Sequence, residues 1–101
     1  MKIDLKPNEQ VVKAEDSRYL NGAPVKGKLI LTNQRIYFKP EVSYDTKYDF
    51  EIMPSDIKEV IPFRTGIFSN RGLNIVCKNG KELSFDIHDR DSWCKMINKL
   101  V

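Results

Sequence analysis

VKGKLILTNQRIYF, residues 25–38, is the stretch from which the rest of the chain can be placed. Over residues 25–32 the alternation sets Val25, Gly27, Leu29 and Leu31 on one face and Lys26, Lys28, Ile30 and Thr32 on the other, the period of two of a half-buried strand. Thr32-Asn33-Gln34-Arg35 then interrupts the pattern with polar turn formers. Residues 35–39 resume it, with Ile36 and Phe38 on a common face, until Pro40, which lacks an N–H and is expected to end the pairing. The stretch reads as a hairpin.

Working outward, Asn21-Gly22-Ala23-Pro24 is a cluster of turn formers that joins this hairpin to a first strand at residues 11–20. Residues 1–9, with Pro7 and Asn8 and little periodicity, read as a loosely tied lead-in with Ile3 and Leu5 against the body, so the domain proper is residues 10–101. In the other direction a polar loop at 41–47 leads to residues 48–53, where Tyr48, Phe50 and Ile52 alternate with Asp49 and Glu51. A corner at Pro54-Ser55-Asp56 precedes extended structure at 58–64.

Residues 73–78 and 81–87 flank Asn79-Gly80, the signature of a two-residue hairpin turn in which both positions take positive φ. Leu73, Ile75 and Cys77 then share an inner face with Leu83, Phe85 and Ile87, and Asn74, Lys78, Glu82, Ser84 and Asp86 face out. From Asp89 the period becomes helical. Trp93, Ile97 and Leu100 face inward, Lys95, Met96, Asn98 and Lys99 outward, and Asp89 or Asp91 can cap the start.

Composition agrees with this reading. Ten Ile and seven Val against two Ala favour strands, and 101 residues suffice for a single core. No run approaches the ~20 apolar residues of a membrane span, and MKIDLKP at the N-terminus lacks a signal-peptide core, so the expected address is the cytoplasm. The net charge of +3 is spread along the chain without a basic block, which leaves nucleic acid undemanded. Cys77 and Cys94 lack zinc-site spacing and read as reduced, buried thiols; no metal, disulfide or cofactor is expected.

Seven short strands and one C-terminal amphipathic helix make a strongly twisted antiparallel barrel with the helix over one end and Trp93 as its plug. At this point a family resemblance is carried by particular residues. Residues 25–38 resemble the second and third strands of a GRAM domain, IMPSDIKEV at 52–60 resembles the family's strand, acidic corner and next strand, and residues 79–85 resemble its late hairpin. GRAM domains belong to the pleckstrin-homology (PH) superfold. The resemblance implies a mainly β, seven-stranded antiparallel barrel or sandwich capped by one helix. It also implies a stand-alone, non-catalytic binding module, cytoplasmic or peripheral at a membrane, whose partner is an anionic membrane lipid or a protein. The alternative is a protein-interaction or self-association module with no lipid ligand, using a sheet edge or the groove beside the helix.

Two groups of residues are candidates for binding. Arg18, Lys26 and Lys28 lie around the first loop, and the resemblance implies an inositol-phosphate cradle there, because converging cations concentrate positive potential. Lys28 stands where lipid-binding relatives usually carry Arg, and Glu15 and Asp16 oppose the field. On sequence alone a solvated strand face takes precedence, since a lysine row also guards an edge strand. The second group is RTGIFSNRG, residues 64–72, where Ile67 and Phe68 sit between Arg64 and Arg71, a composition suited to an anionic membrane or a partner's pocket. Folding of Ile67 or Phe68 back onto the core stands level with it.

Catalysis finds little support. His88 is the only His and sits at a strand-to-helix junction, where a capping or surface role outweighs base catalysis. Cys94, without a base beside it, reads as a packed apolar residue. Of ten aromatics, Phe38, Phe50 and Phe85 face inward, leaving Tyr37 and Tyr44 outside, too few for a nucleic-acid stacking platform.

Overall fold

The computed structural model describes residues 5–21, 24–41, 50–66 and 70–100. Its elements are β1 (Val11–Tyr19), β2 (Val25–Thr32), β3 (Ile36–Pro40), β4 (Phe50–Ile52), a 3-10 turn (Pro54–Asp56), β5 (Ile57–Phe63), β6 (Gly72–Cys77), β7 (Glu82–Ile87) and α1 (Arg90–Leu100). All seven strands pair antiparallel in the order β4-β3-β2-β1-β7-β6-β5. β1 therefore bonds to β2 along one edge and to β7 along the other, while β4 and β5 remain the two edges of an unclosed sheet. The mainly β, PH-like fold expected from the sequence is present.

The inward residues explain why the sheet curls. Leu29, Leu31, Ile36, Phe38, Leu73, Ile75, Phe85 and Ile87 meet in one core with Trp93 and Ile97 of α1. At one end Tyr19, Phe38, Phe50 and Phe85 form a four-ring cluster with centroids 5.2–6.3 Å apart, tilted or edge-on except for the stacked Phe38–Phe50 pair. At the helix end Trp93 is fully buried. Its indole N–H donates to Glu15 Oε1 at 3.0 Å, and Glu15 Oε2 accepts the Asp89 backbone N–H, also at 3.0 Å. Lys13 completes the junction, with Nζ 3.0 Å from Asp89. Hydrogen bonding to Lys13 holds the Asp89 carboxyl below its ordinary range.

Four local readings need correction. The β6–β7 turn is one residue longer than a two-residue turn. Gly80 N–H bonds Cys77 O at 2.9 Å, Cys77 N–H bonds Lys81 O at 2.8 Å, and among described non-glycine residues only Asn8 has positive φ, so Asn79 does not adopt it. Gly80 at φ 91° supplies the left-handed bulge instead. The reason lies in register: a two-residue turn pairs Ile75 with Ser84, core against surface, whereas the bulged turn pairs Ile75 with Leu83 and Leu73 with Phe85.

Pro40 is the last residue of β3 but does not stop the pairing; it lies opposite Gly27, and the Glu41 N–H continues the ladder to Lys26 O at 2.9 Å. Its missing donor takes nothing from the β2–β3 ladder, because the Gly27–Pro40 pair falls between bonded positions. Met96 is partly buried against the core, and Leu5 is exposed. What ties residues 5–10 down is polar. Glu9, whose side chain is fully buried, accepts from Arg35 Nε at 2.9 Å, Arg35 Nη2 at 3.1 Å, Thr32 Oγ1 at 2.6 Å and the Lys6 N–H at 2.8 Å.

Gly27 is fixed by its neighbours. A Cβ there would lie 2.5 Å from Lys39 O and 2.6 Å from the Phe38 ring, and neither a ladder carbonyl nor a core ring can withdraw. Gly27→Ala is expected to lose about 1–3 kcal/mol, read as a lower urea midpoint at unchanged slope. An unchanged midpoint would show that β3 can move away from β2.

Candidate functional site

The outer face of β1, β2 and β7 carries a cleft of about 480 Å³ lined by Asp16, Ser17, Arg18, Lys26, Gly27, Lys28, Glu41, Arg71 and Asp86. Register puts its parts together. Arg18 lies opposite Lys26 on one side and opposite Asp86 on the other, and Asp16 lies opposite Lys28. Arg71 enters from the segment before β6, where its carbonyl accepts the Ile87 N–H at 2.9 Å.

Four of the residues singled out from sequence, Arg18, Lys26, Lys28 and Arg71, thus converge on one cleft. Arg64 stands exposed just beyond β5 and does not line it. Ile67 and Phe68 lie outside the described residues. Two further points alter the sequence reading. β2 is an interior strand, so its lysines do not guard an edge. Of the two acids thought to oppose the field, only Asp16 faces the cleft, its carboxylate 3.8 Å from Lys28 and 93% exposed; Glu15 points to the helix junction.

Sequence reasoning missed the residue at the cleft's base. Asp86 reads as an outward, solvated position on β7, yet only 4% of its side chain is exposed. Oδ2 accepts from Arg18 Nη2, Oδ1 accepts from Arg71 Nε at 2.5 Å, and the Ser17 hydroxyl donates to its backbone carbonyl at 2.9 Å. Burial alone would raise the Asp86 carboxyl, but the hydrogen bonds from Arg71 and Arg18 outweigh it and hold it below the ordinary range. The signal that could have found it is the β1–β7 pairing, which no local pattern announces.

Elsewhere, an apolar groove of about 280 Å³ between the start of β1 and the end of α1 is lined by Val12, Leu31, Met96 and Leu100, with Lys99 at its rim. Val12 reaches it because it is the extra residue of a bulge between Val11 and Lys13. Burial raises the pKa of both the Cys77 and the Cys94 thiol, and His88 is exposed, its Nδ1 3.3 Å from Arg71 Nη1. Among the described residues no His, Cys, Asp and Glu cluster could hold a metal ion. No described helix is long and apolar enough to cross a membrane.

Comparison with known proteins agrees with this fold. No curated protein matches the chain. A solved structure described as the C-terminal domain of an unknown protein from Leishmania infantum is similar with a TM-score of 0.78 at 13% identity, over 93% of this chain and 86% of that one. The Vps36 N-terminal PH domain is similar with a TM-score of 0.71 at 15% identity, over 95% of this chain and 81% of that one. At such identities the likeness concerns the fold alone. The sequence profile of the GRAM domain matches residues 1–101, and the chain belongs to the GRAM domain family.

Proposed function

We propose that this GRAM domain is a non-catalytic, cytoplasmic module that binds an anionic headgroup at a membrane surface through the cleft of Arg18, Lys26, Lys28 and Arg71. The observation that carries the reading is convergence. Four cations from β1, β2 and the segment before β6 border one cavity of headgroup size, and three carboxylates share it, for a modest positive excess. Cations gathered from separate strands favour phosphate, whose several acceptor oxygens can be met from more than one side.

So few charges give weak, salt-sensitive attachment. In co-sedimentation, the domain is expected to pellet with anionic but not neutral vesicles, less as salt rises from low to physiological. Lys26→Glu combined with Lys28→Glu should abolish pelleting without changing the melting temperature, since both side chains project from an already paired strand. Pelleting that survives the charge reversal removes the cleft as the site. Absence of pelleting by the unaltered domain points to a protein partner instead.

A further inference from the structure

We infer that Asp86 is the positioning residue of the basic cleft: it holds Arg18 and Arg71 as one fixed array of N–H donors, so removing its negative charge weakens anion binding. The inference rests on the cleft being the anion site proposed above. A simple count of charge gives the opposite sign, because Asp86 subtracts from the positive potential of the cleft. The two views therefore separate cleanly.

Geometry decides between them. Asp86 meets the two guanidinium groups through one nitrogen each, Nη2 of Arg18 and Nε of Arg71. A guanidinium has five N–H donors in a rigid fork, so apart from Arg71 Nη1, which lies 3.3 Å from His88 Nδ1, the remainder of each fork is left to the cleft that both residues line. The carboxylate is buried, whereas the arginine side chains are 48% and 40% exposed. An incoming anion cannot draw the arginines away without stranding a buried charge, a change that strongly opposes itself. The anion must instead bind to an array whose arginines are already oriented. Long side chains at a surface lose rotamer freedom on binding a ligand, and here the tether has removed most of that freedom beforehand. Lys28 has no comparable anchor, its partner Asp16 being almost fully exposed.

Two probes distinguish a free phosphate compound from a lipid: inorganic pyrophosphate titrated by NMR, and anionic vesicles in co-sedimentation. Asp86→Asn keeps the shape but sets an NH2 group against one guanidinium, and is expected to weaken binding of whichever probe binds by about five- to tenfold. Arg71→Lys preserves every charge in the cleft and should show a loss of similar size, because an ammonium cannot occupy both Asp86 and the ligand through a fixed fork. Should Asp86→Asn fail to fold, Arg71→Lys decides alone. Binding that is equal or tighter in folded Asp86→Asn, or unchanged in Arg71→Lys, overturns the inference. If the unaltered domain binds neither probe, the reading of the cleft fails, and the array is judged by the Arg71 Nε–H resonance. That resonance should be sharp and slowly exchanging in the unaltered protein and lost in Asp86→Asn; its persistence would falsify the tether.

Discussion

Arg35→Ala should lower folding stability by about 3–5 kcal/mol, the usual cost of removing one partner of a buried ion pair. Arg35, its side chain 7% exposed, bonds bidentately to fully buried Glu9 and reaches Glu51 Oε2 at 2.6 Å. Truncation leaves the Glu9 carboxylate in the interior with, among the described residues, only Thr32 Oγ1 and the Lys6 N–H as donors. A domain of this size typically has 0.05–0.15 kcal/mol of stability per residue, so the loss is a large share of the total. Urea denaturation followed by circular dichroism measures it, and a loss under about 1 kcal/mol would mean that water reaches Glu9.

The same pair sets an acid limb. The hydrogen bond from Arg35 lowers the Glu9 carboxyl from 4.5 to about 2. A carboxyl depressed in the folded state contributes stability that is complete above its unfolded pKa and is lost as pH falls from there towards the folded value. Stability of the unaltered domain should therefore fall between about pH 5 and pH 2, more steeply than that of Arg35→Ala, in which the depression is gone. Parallel slopes for the two proteins would show that other carboxylates govern acid unfolding.

Trp93→Ala should be of similar size, about 3–5 kcal/mol, since it empties the largest fully buried side chain from the junction between helix and sheet. Part of the effect is polar: Glu15 loses the indole N–H and keeps only the Asp89 N–H and the more distant Lys13. Trp93→Phe retains much of the volume but not the donor, and is expected to cost about 1–3 kcal/mol. If Trp93→Phe costs as much as Trp93→Ala, the hydrogen bond outweighs the packing. Trp93 is the only tryptophan, so unfolding of both variants has to be followed by circular dichroism.

These two sites also show where sequence reading succeeds and where it stops. Alternating apolar residues disclosed β2, β3, β6 and β7; burial keeps the period of two in β3 and most of β6, whereas Ile30 and Thr32 of β2 and Asp86 of β7 are buried although the pattern places them outward. β1 gave no such sign. Its inward positions are Lys13, Glu15, Ser17 and Tyr19, three of them polar because they meet the helix start and β7 instead of oil-like core. Arg35 reads as a turn residue, and its burial depends on a carboxylate 26 positions away, which hydropathy does not encode. The basic residues of the cleft were visible one by one. Their convergence needed the pairing of Arg18 with Asp86 across β1 and β7, a contact between opposite ends of the chain.

The position of β1 has a consequence for the growing polypeptide. Residues that meet across β1 and β7 are far apart in sequence, 69 positions for Ser17 and Asp86, so the pairing belongs to the slow, high-contact-order part of folding. During synthesis β1 to β4 can zip together as successive hairpins, but one side of β1 then presents unpaired amide and carbonyl groups until residues 82–87 leave the ribosome. That temporary edge is rich in charge: Lys13, Glu15, Asp16 and Arg18 alternate or cluster along it. A nascent strand so decorated is poorly suited to pairing with a neighbouring chain. The polar residues that interrupt the apolar alternation of β1 are the ones that keep the half-made sheet from sticking to another copy.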